Sequence, residues 1–174
     1  MSNSSEINIA LITSENAAAL HRLMVSNKVY FIRYMPKTVS SNVTLEGSAR
    51  FIKNISEEAL LKKQFLYTIT YQAELVGLVY LKELDWENKQ GEFAYCLAEN
   101  FSGKGITSTA VKQLISIAFN ELKLENLIII VHKSNMGSIK VAEKCGFKHT
   151  KTLKNEFTPT GENPLDMELY ELRK

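Results

Sequence analysis

The residues whose spacing carries most chemistry are Asn100-Phe101-Ser102-Gly103-Lys104-Gly105. Two glycines two apart let the backbone take positive φ and leave no Cβ between its N–H groups and an approaching anion. After them Ile106, Ala110, Val111, Leu114, Ile117, Ala118 and Leu122 recur at three- and four-residue steps, which predicts a helix. A helix starting at such a turn offers unpaired N–H donors and the positive end of its dipole, enough to hold phosphate without a side chain. A plain strand-to-helix turn uses the same two glycines, so the pattern alone leaves both readings open. It lacks the third glycine of the dinucleotide fingerprint and the Lys-Ser/Thr pair of the P-loop, which argues against hydride transfer and NTP hydrolysis.

A second set is Ser134-Asn135-Met136-Gly137-Ser138, an N-cap signal before Ile139, Val141, Ala142 and Cys145, with Gly146 placed to end the helix in the left-handed region. Capping alone accounts for Asn135 and Ser138. Cys96 and Cys145 have no Cys-His-Asn signature around them and read as small core residues rather than nucleophiles or a disulfide. His21, His132 and His149 have no metal-ligand spacing, so no metal is expected.

These groups need a scaffold. Gly91 to Leu97 predicts a strand with Phe93, Tyr95 and Leu97 on one face and Glu92, Ala94 and Cys96 on the other. Leu127 to Val131 is an unbroken aliphatic run, expected to be covered on both faces. Further strands are predicted at 7–12, 65–71 and 75–84, with a closing hairpin of 150–157 and 166–172. Helices are expected after Thr13 or Ser14 through Met24 and over Leu45 to Leu61, the latter interrupted near Ile55-Ser56, with Tyr30 to Val43 irregular. The order supports an α+β (mixed α/β) fold: one central, mostly antiparallel twisted sheet flanked by helices.

The chain has 174 residues, 45% hydrophobic and 23% charged, and shows no repeat or linker, so a single domain spanning 1–174 is expected. A net charge of +2 is too balanced to argue for nucleic-acid binding. Met1 to Glu6 is polar, and no apolar run approaches a membrane span or signal peptide, so no membrane partner and a cytoplasmic location are expected.

Gly103-Lys104-Gly105-Ile106 and N-M-G-S-I-K-V-A-E-K-C-G-F at Asn135 to Phe147 resemble the two core motifs of the GNAT N-acetyltransferase superfamily. R-Y-M-P at Arg33 to Pro36 and T-L-E-G-S-A-R-F-I at Thr44 to Ile52 resemble its RimJ/RimL branch of ribosomal-protein N-terminal acetyltransferases. The resemblance implies acetyl-CoA as co-substrate. Its pyrophosphate would lie on the amides of Phe101, Ser102, Gly103, Lys104, Gly105 and Ile106, its pantetheine beside the strand ending at Leu97, with Asn135 and Ser138 near its thiol end. Asn100 stands where the family commonly has Arg or Gln, and Ala142 where many relatives carry a catalytic tyrosine. The RimL-like arrangement implies Ser138 as acid and Glu156 as base, with Glu92 the rival base and a solvated loop carboxylate the alternative for Glu156. Phe31, Tyr34 and Tyr95 offer aromatic surface to an amine acceptor, and Glu156, Glu162 and Asp166 cluster where a cation would be favoured. The implied reaction moves an acetyl group to a primary amine through a ternary complex, the acceptor being a protein N-terminus or a small amine. A non-catalytic acyl-CoA sensor is the third reading. A homodimer is common among relatives.

Overall fold

The computed structural model describes residues 6–174, so residues 1–5 of the polar N-terminal stretch lie outside the described residues. Seven strands run through the described residues: β1 Ile7–Leu11, β2 Phe65–Tyr71, β3 Glu74–Asp85, β4 Gln90–Leu97, β5 Asn126–Val131, β6 Lys148–Phe157 and β7 Leu165–Arg173. They form one sheet in the order β1-β2-β3-β4-β5-β7-β6. Every neighbouring pair is antiparallel except β4 with β5. The period of two sends Leu78 and Tyr80 to one core and Val79 and Leu81 to the other. Among the described residues six α-helices accompany the strands: α1 Ala17–Ser26, α2 Lys28–Phe31, α3 Pro36–Ser41, α4 Leu45–Leu60, α5 Ile106–Ser116 and α6 Met136–Lys144. Residues of α5 and α6 pack into the core with Val79 and Leu81, and residues of α1 to α4 into the core with Leu78 and Tyr80.

The parallel pair matters most. Its register runs only from Gln90↔Asn126 to Phe93↔Ile129. Beyond that point β4 continues to Leu97 and β5 to Val131 without pairing, so the two strands part and open the middle of the sheet.

Four expectations are corrected. The segment 30–43 is not irregular: it holds the end of α2 and all of α3, with Pro36 in the first turn of α3, where its missing N–H costs nothing. These helices are too short for a period of 3.6 to show in sequence. α4 runs unbroken through Ile55 and Ser56, because Ser48, Ile52 and Ile55 keep one face buried, and Thr44 caps it through Oγ1, which accepts from the Gly47 N–H at 3.0 Å. β5 is fully covered on one face only: Leu127, Ile129 and Val131 are buried, while Ile128 and Ile130 are half-buried. α5 itself is shorter than its apolar period, since Ile117–Glu121 widens to a π turn closed by Leu122 N–H donating to Ile117 O at 3.0 Å.

Candidate active site

The glycine turn adopts the predicted strained geometry. Gly103 and Gly105 have φ of +78° and +75°, and Gly105 is the N-cap of α5. A Cβ at either position would meet nothing within 4 Å, so open space lies over the turn. The amide cradle is shifted from its expected bounds. The Phe101 and Ser102 N–H groups are already spent in a helical turn, donating to Ala98 O at 2.9 Å and Glu99 O at 3.1 Å. Among the described residues, the amides of 103 to 108 meet no protein acceptor, and the next, Thr109, donates to Gly105 O at 3.1 Å. Thr107 and Ser108 therefore join the cradle. Sequence reasoning passed over them although a helix always leaves its first turn of N–H groups unpaired. Phe101 packs edge-on to Tyr71 as an anchor, and the Lys104 ammonium lies 5.1 Å over the Phe101 ring.

Two clefts meet beside this turn. One, of about 560 Å³, is lined by Gly103, Gly105, Thr107 and Ser108 of the turn and α5, by Leu97 and Phe31, and by Ser138 of α6. The second, of about 880 Å³, lies across the splay and holds Glu83, Glu92 and Glu156. Tyr34, Met35, Tyr95, Asn135 and Ser138 line both. These shared residues form the junction.

Local structure fixes each group there. Ala98 N–H donates to Val76 O at 2.8 Å, so by antiparallel alternation the main-chain groups of Tyr95 and Leu97 turn away from β3, toward the space β5 has left. An extended amide-bearing ligand can pair with that edge. Asn135, and not Ser134, caps α6: its Oδ1 accepts from the Ser138 N–H at 3.2 Å. Ser134 instead engages His132, its N–H donating to Nδ1 at 3.2 Å. Tyr95 donates its hydroxyl to the Ser138 carbonyl at 2.8 Å, and burial pushes that phenol well above its ordinary pKa, so it stays a neutral donor. Tyr34 stacks on His132 with centroids 6.4 Å apart and leans on Phe157. Phe31 is buried and belongs to the wall of the first cleft rather than to the second.

The carboxylates separate by partner. Glu92 pairs with Lys82 at 2.9 Å, its side chain only 12% exposed. Glu162 is bound to Arg33 at 2.9 Å and Asp166 to Lys154 at 2.7 Å, so these two are neutralised members of the expected acidic cluster. Glu156 is exposed, lines the second cleft and has no ion-pair partner among the described residues. It sits in a bulge where the β6–β7 register jumps between Leu153 and Phe157, with Asn155 at φ +52° donating its N–H to Asp166 Oδ1 at 3.0 Å. A bulge at this place re-aims a side chain toward a cleft. The cysteines are both free and buried, with the Cys96 thiol pushed up to about 12 by burial. Among the described residues no cluster of three or more His, Cys, Asp or Glu could hold a metal, and no helix is long and apolar enough to cross a membrane.

Fold and site together define an α/β protein with an anion cradle at a helix start, a splayed sheet centre and two clefts joined there. Residues 7–148 match the acetyltransferase (GNAT) domain, and the chain belongs to the GNAT acetyltransferase family. YdaF of Bacillus subtilis (strain 168) is 38% identical over 79 residues, covering 45% of this chain and 43% of YdaF. The spermidine N(1)-acetyltransferase of Escherichia coli (strain K12) is 30% identical over 96 residues, 55% of this chain and 52% of the enzyme. The aligned part thus spans about half the length of these relatives. The structure of the microcin C7 self immunity acetyltransferase MccE with acetyl-CoA and AMP superposes with a TM-score of 0.88 at 26% identity, covering 98% of this chain and 94% of MccE. The ribosomal alpha-N-protein acetyltransferase RimL with coenzyme A gives 0.89 at 21% identity, covering 98% and 95%, a likeness of fold.

Proposed function

We propose that this chain, read as one domain, is an acetyl-CoA-dependent N-acetyltransferase that moves the acetyl group directly to a primary amine. The observation that carries this is the junction: a cleft ending in six unpaired amides meets a carboxylate-bearing cavity at Tyr95, Asn135 and Ser138. Diphosphate suits the amides of 103 to 108, and the pantetheine amides suit the free edge at Tyr95 and Leu97. MccE, similar over nearly its whole length, was solved with acetyl-CoA, which supports the donor.

The amine reaches the junction from the second cleft. Glu156, without a cationic partner, takes a proton from the ammonium directly or through water, the freed nitrogen lone pair attacks the thioester carbonyl, and the C–S bond breaks as the Ser138 hydroxyl passes its proton to the departing thiolate and regains one from the acylated nitrogen. Glu92 is the poorer base, because its carboxylate is already engaged by the Lys82 ammonium at 2.9 Å. No side chain needs to carry the acetyl group. A small or slender amine is favoured as acceptor, since the Arg33–Glu162 pair ties the segment before α3 to the loop before β7. The spermidine enzyme among the relatives fits that reading, and a protein N-terminus is the second candidate on the likeness to RimL. Acetyl-CoA is a metabolite of the cytoplasm, where the reading places the chain.

A thiol-release assay with acetyl-CoA against polyamines, amino acids and short peptides tests the proposal. Release that depends on one amine class supports it, and no release with any of them contradicts it and favours a sensor.

A further inference from the structure

We propose that Tyr95 is the positioning residue of the reaction, a latch whose O–H···O=C bond to Ser138 ties the first turn of α6 to β4 across the gap left by β5. The inference rests on the acetyltransfer reading above and adds to it a group that touches neither the diphosphate nor the base.

Three observations converge on this side chain. β4 and β5 stop pairing at Phe93↔Ile129, so the chain beyond has no ladder to set the distance between β4 and the start of α6. Tyr95 lies two residues past that point on the face that packs with the α5 and α6 core, and its hydroxyl spans from residue 95 to residue 138 at 2.8 Å. Both Tyr95 and Ser138 line both clefts. The capping bond from Asn135 Oδ1 fixes the Ser138 N–H, and the tyrosine fixes the Ser138 carbonyl, so the peptide groups on both sides of the Ser138 Cα are held. What remains free on that residue is its hydroxyl at the junction. Within α6, by contrast, nothing distinguishes Ser138 from an ordinary residue of a first turn.

The test combines Tyr95→Phe, which removes the hydroxyl and keeps the ring, with Ser138→Ala and the double variant. Tyr95→Phe is expected to lower kcat roughly tenfold or more while the KM for acetyl-CoA moves less than about threefold, because a misplaced group costs rate more than donor binding. On the Ser138→Ala background the same change should cost almost nothing further, since the tyrosine acts through the serine. Tyr95→4-aminophenylalanine, which returns an N–H donor to the ring, should restore most of the rate, a rescue that a purely packing role would not show. It also serves as the test variant should Tyr95→Phe fail to fold. An unchanged kcat in Tyr95→Phe, an undiminished loss on the Ser138→Ala background, or no rescue by the amino ring overturns the proposal. A wild-type protein that releases no thiol overturns the acetyltransfer reading and the latch with it. Turnover that survives loss of the hydroxyl removes the latch alone.

Discussion

Ser138 and Glu156 line the second cleft from different elements, and each is tested by removing one functional group. Ser138→Ala and Glu156→Gln should each lower kcat by about a hundredfold, the low end of general acid–base contributions, with the KM for acetyl-CoA within about threefold. Steady-state kinetics on both variants checks this, and Glu92→Gln should cost less. The type of Ser138 and its place in a motif were readable in sequence. Its surroundings were not, because the Tyr95 hydroxyl comes from 43 positions away and the gap it crosses exists only once β4 and β5 diverge. The acidic trio was misleading for a related reason: partners at Arg33 and Lys154 neutralise Glu162 and Asp166, and Arg33 is 129 positions from Glu162. Cys96 supplies a pH prediction. Burial raises its thiol from 9.0 to about 12, so the folded state holds its proton where the unfolded chain has lost it. Stability is therefore undiminished below pH 9 and falls as pH rises from 9 toward 12. Urea midpoints measured across that range should decline, and less steeply in Cys96→Ala. The same thiol should resist alkylation at pH 8 until the chain unfolds.

Two irregular elements do most of the aiming. At the start of α5, φ of +78° at Gly103 and +75° at Gly105 turn successive amides into one open space. Gly103→Ala should cost about 1–2 kcal/mol from the left-handed conformation alone, a fall of several degrees in Tm, and should weaken acetyl-CoA binding as well. Thermal melts with and without acetyl-CoA separate the two effects, since a purely structural change would leave the ligand-induced rise in Tm intact. In the last hairpin, Asp166 holds the bulge that presents Glu156, accepting from the Asn155 N–H and the Lys154 ammonium. Asp166→Ala should lower kcat with little change in Tm, because the pinned segment is exposed, and paired melts and rate measurements check it. The glycine turn could be read from sequence because glycine spacing reports local backbone directly. The bulge could not, because it arises from a mismatch of register with β7, a strand chosen by tertiary packing. For the same reason α2 and α3 escaped notice: four and six residues are too few to show a helical period.

Among the described residues, seven strands form one sheet whose antiparallel order is broken by the parallel pair near its centre, and the clefts open where that pair separates. The fold class followed from the alternation of predicted elements, and strand limits fell within a few residues of those expected. The insertion of β7 between β5 and β6 was beyond reach, since nothing local in a hairpin says which of its strands meets the sheet. In the proposed reaction donor and acceptor enter separate clefts and no side chain is needed to carry the acetyl group, so initial-velocity patterns should intersect as for a ternary complex. Parallel lines would indicate a covalent intermediate. The central claim is that main-chain amides of residues 103 to 108 hold the diphosphate of acetyl-CoA, and amide NMR during titration with acetyl-CoA tests it most directly. The largest shifts should fall on those six amides, with smaller ones at Tyr95, Leu97 and Ser138. Saturable binding that leaves the amides of 103 to 108 unmoved, or no binding at millimolar acetyl-CoA, would contradict the account.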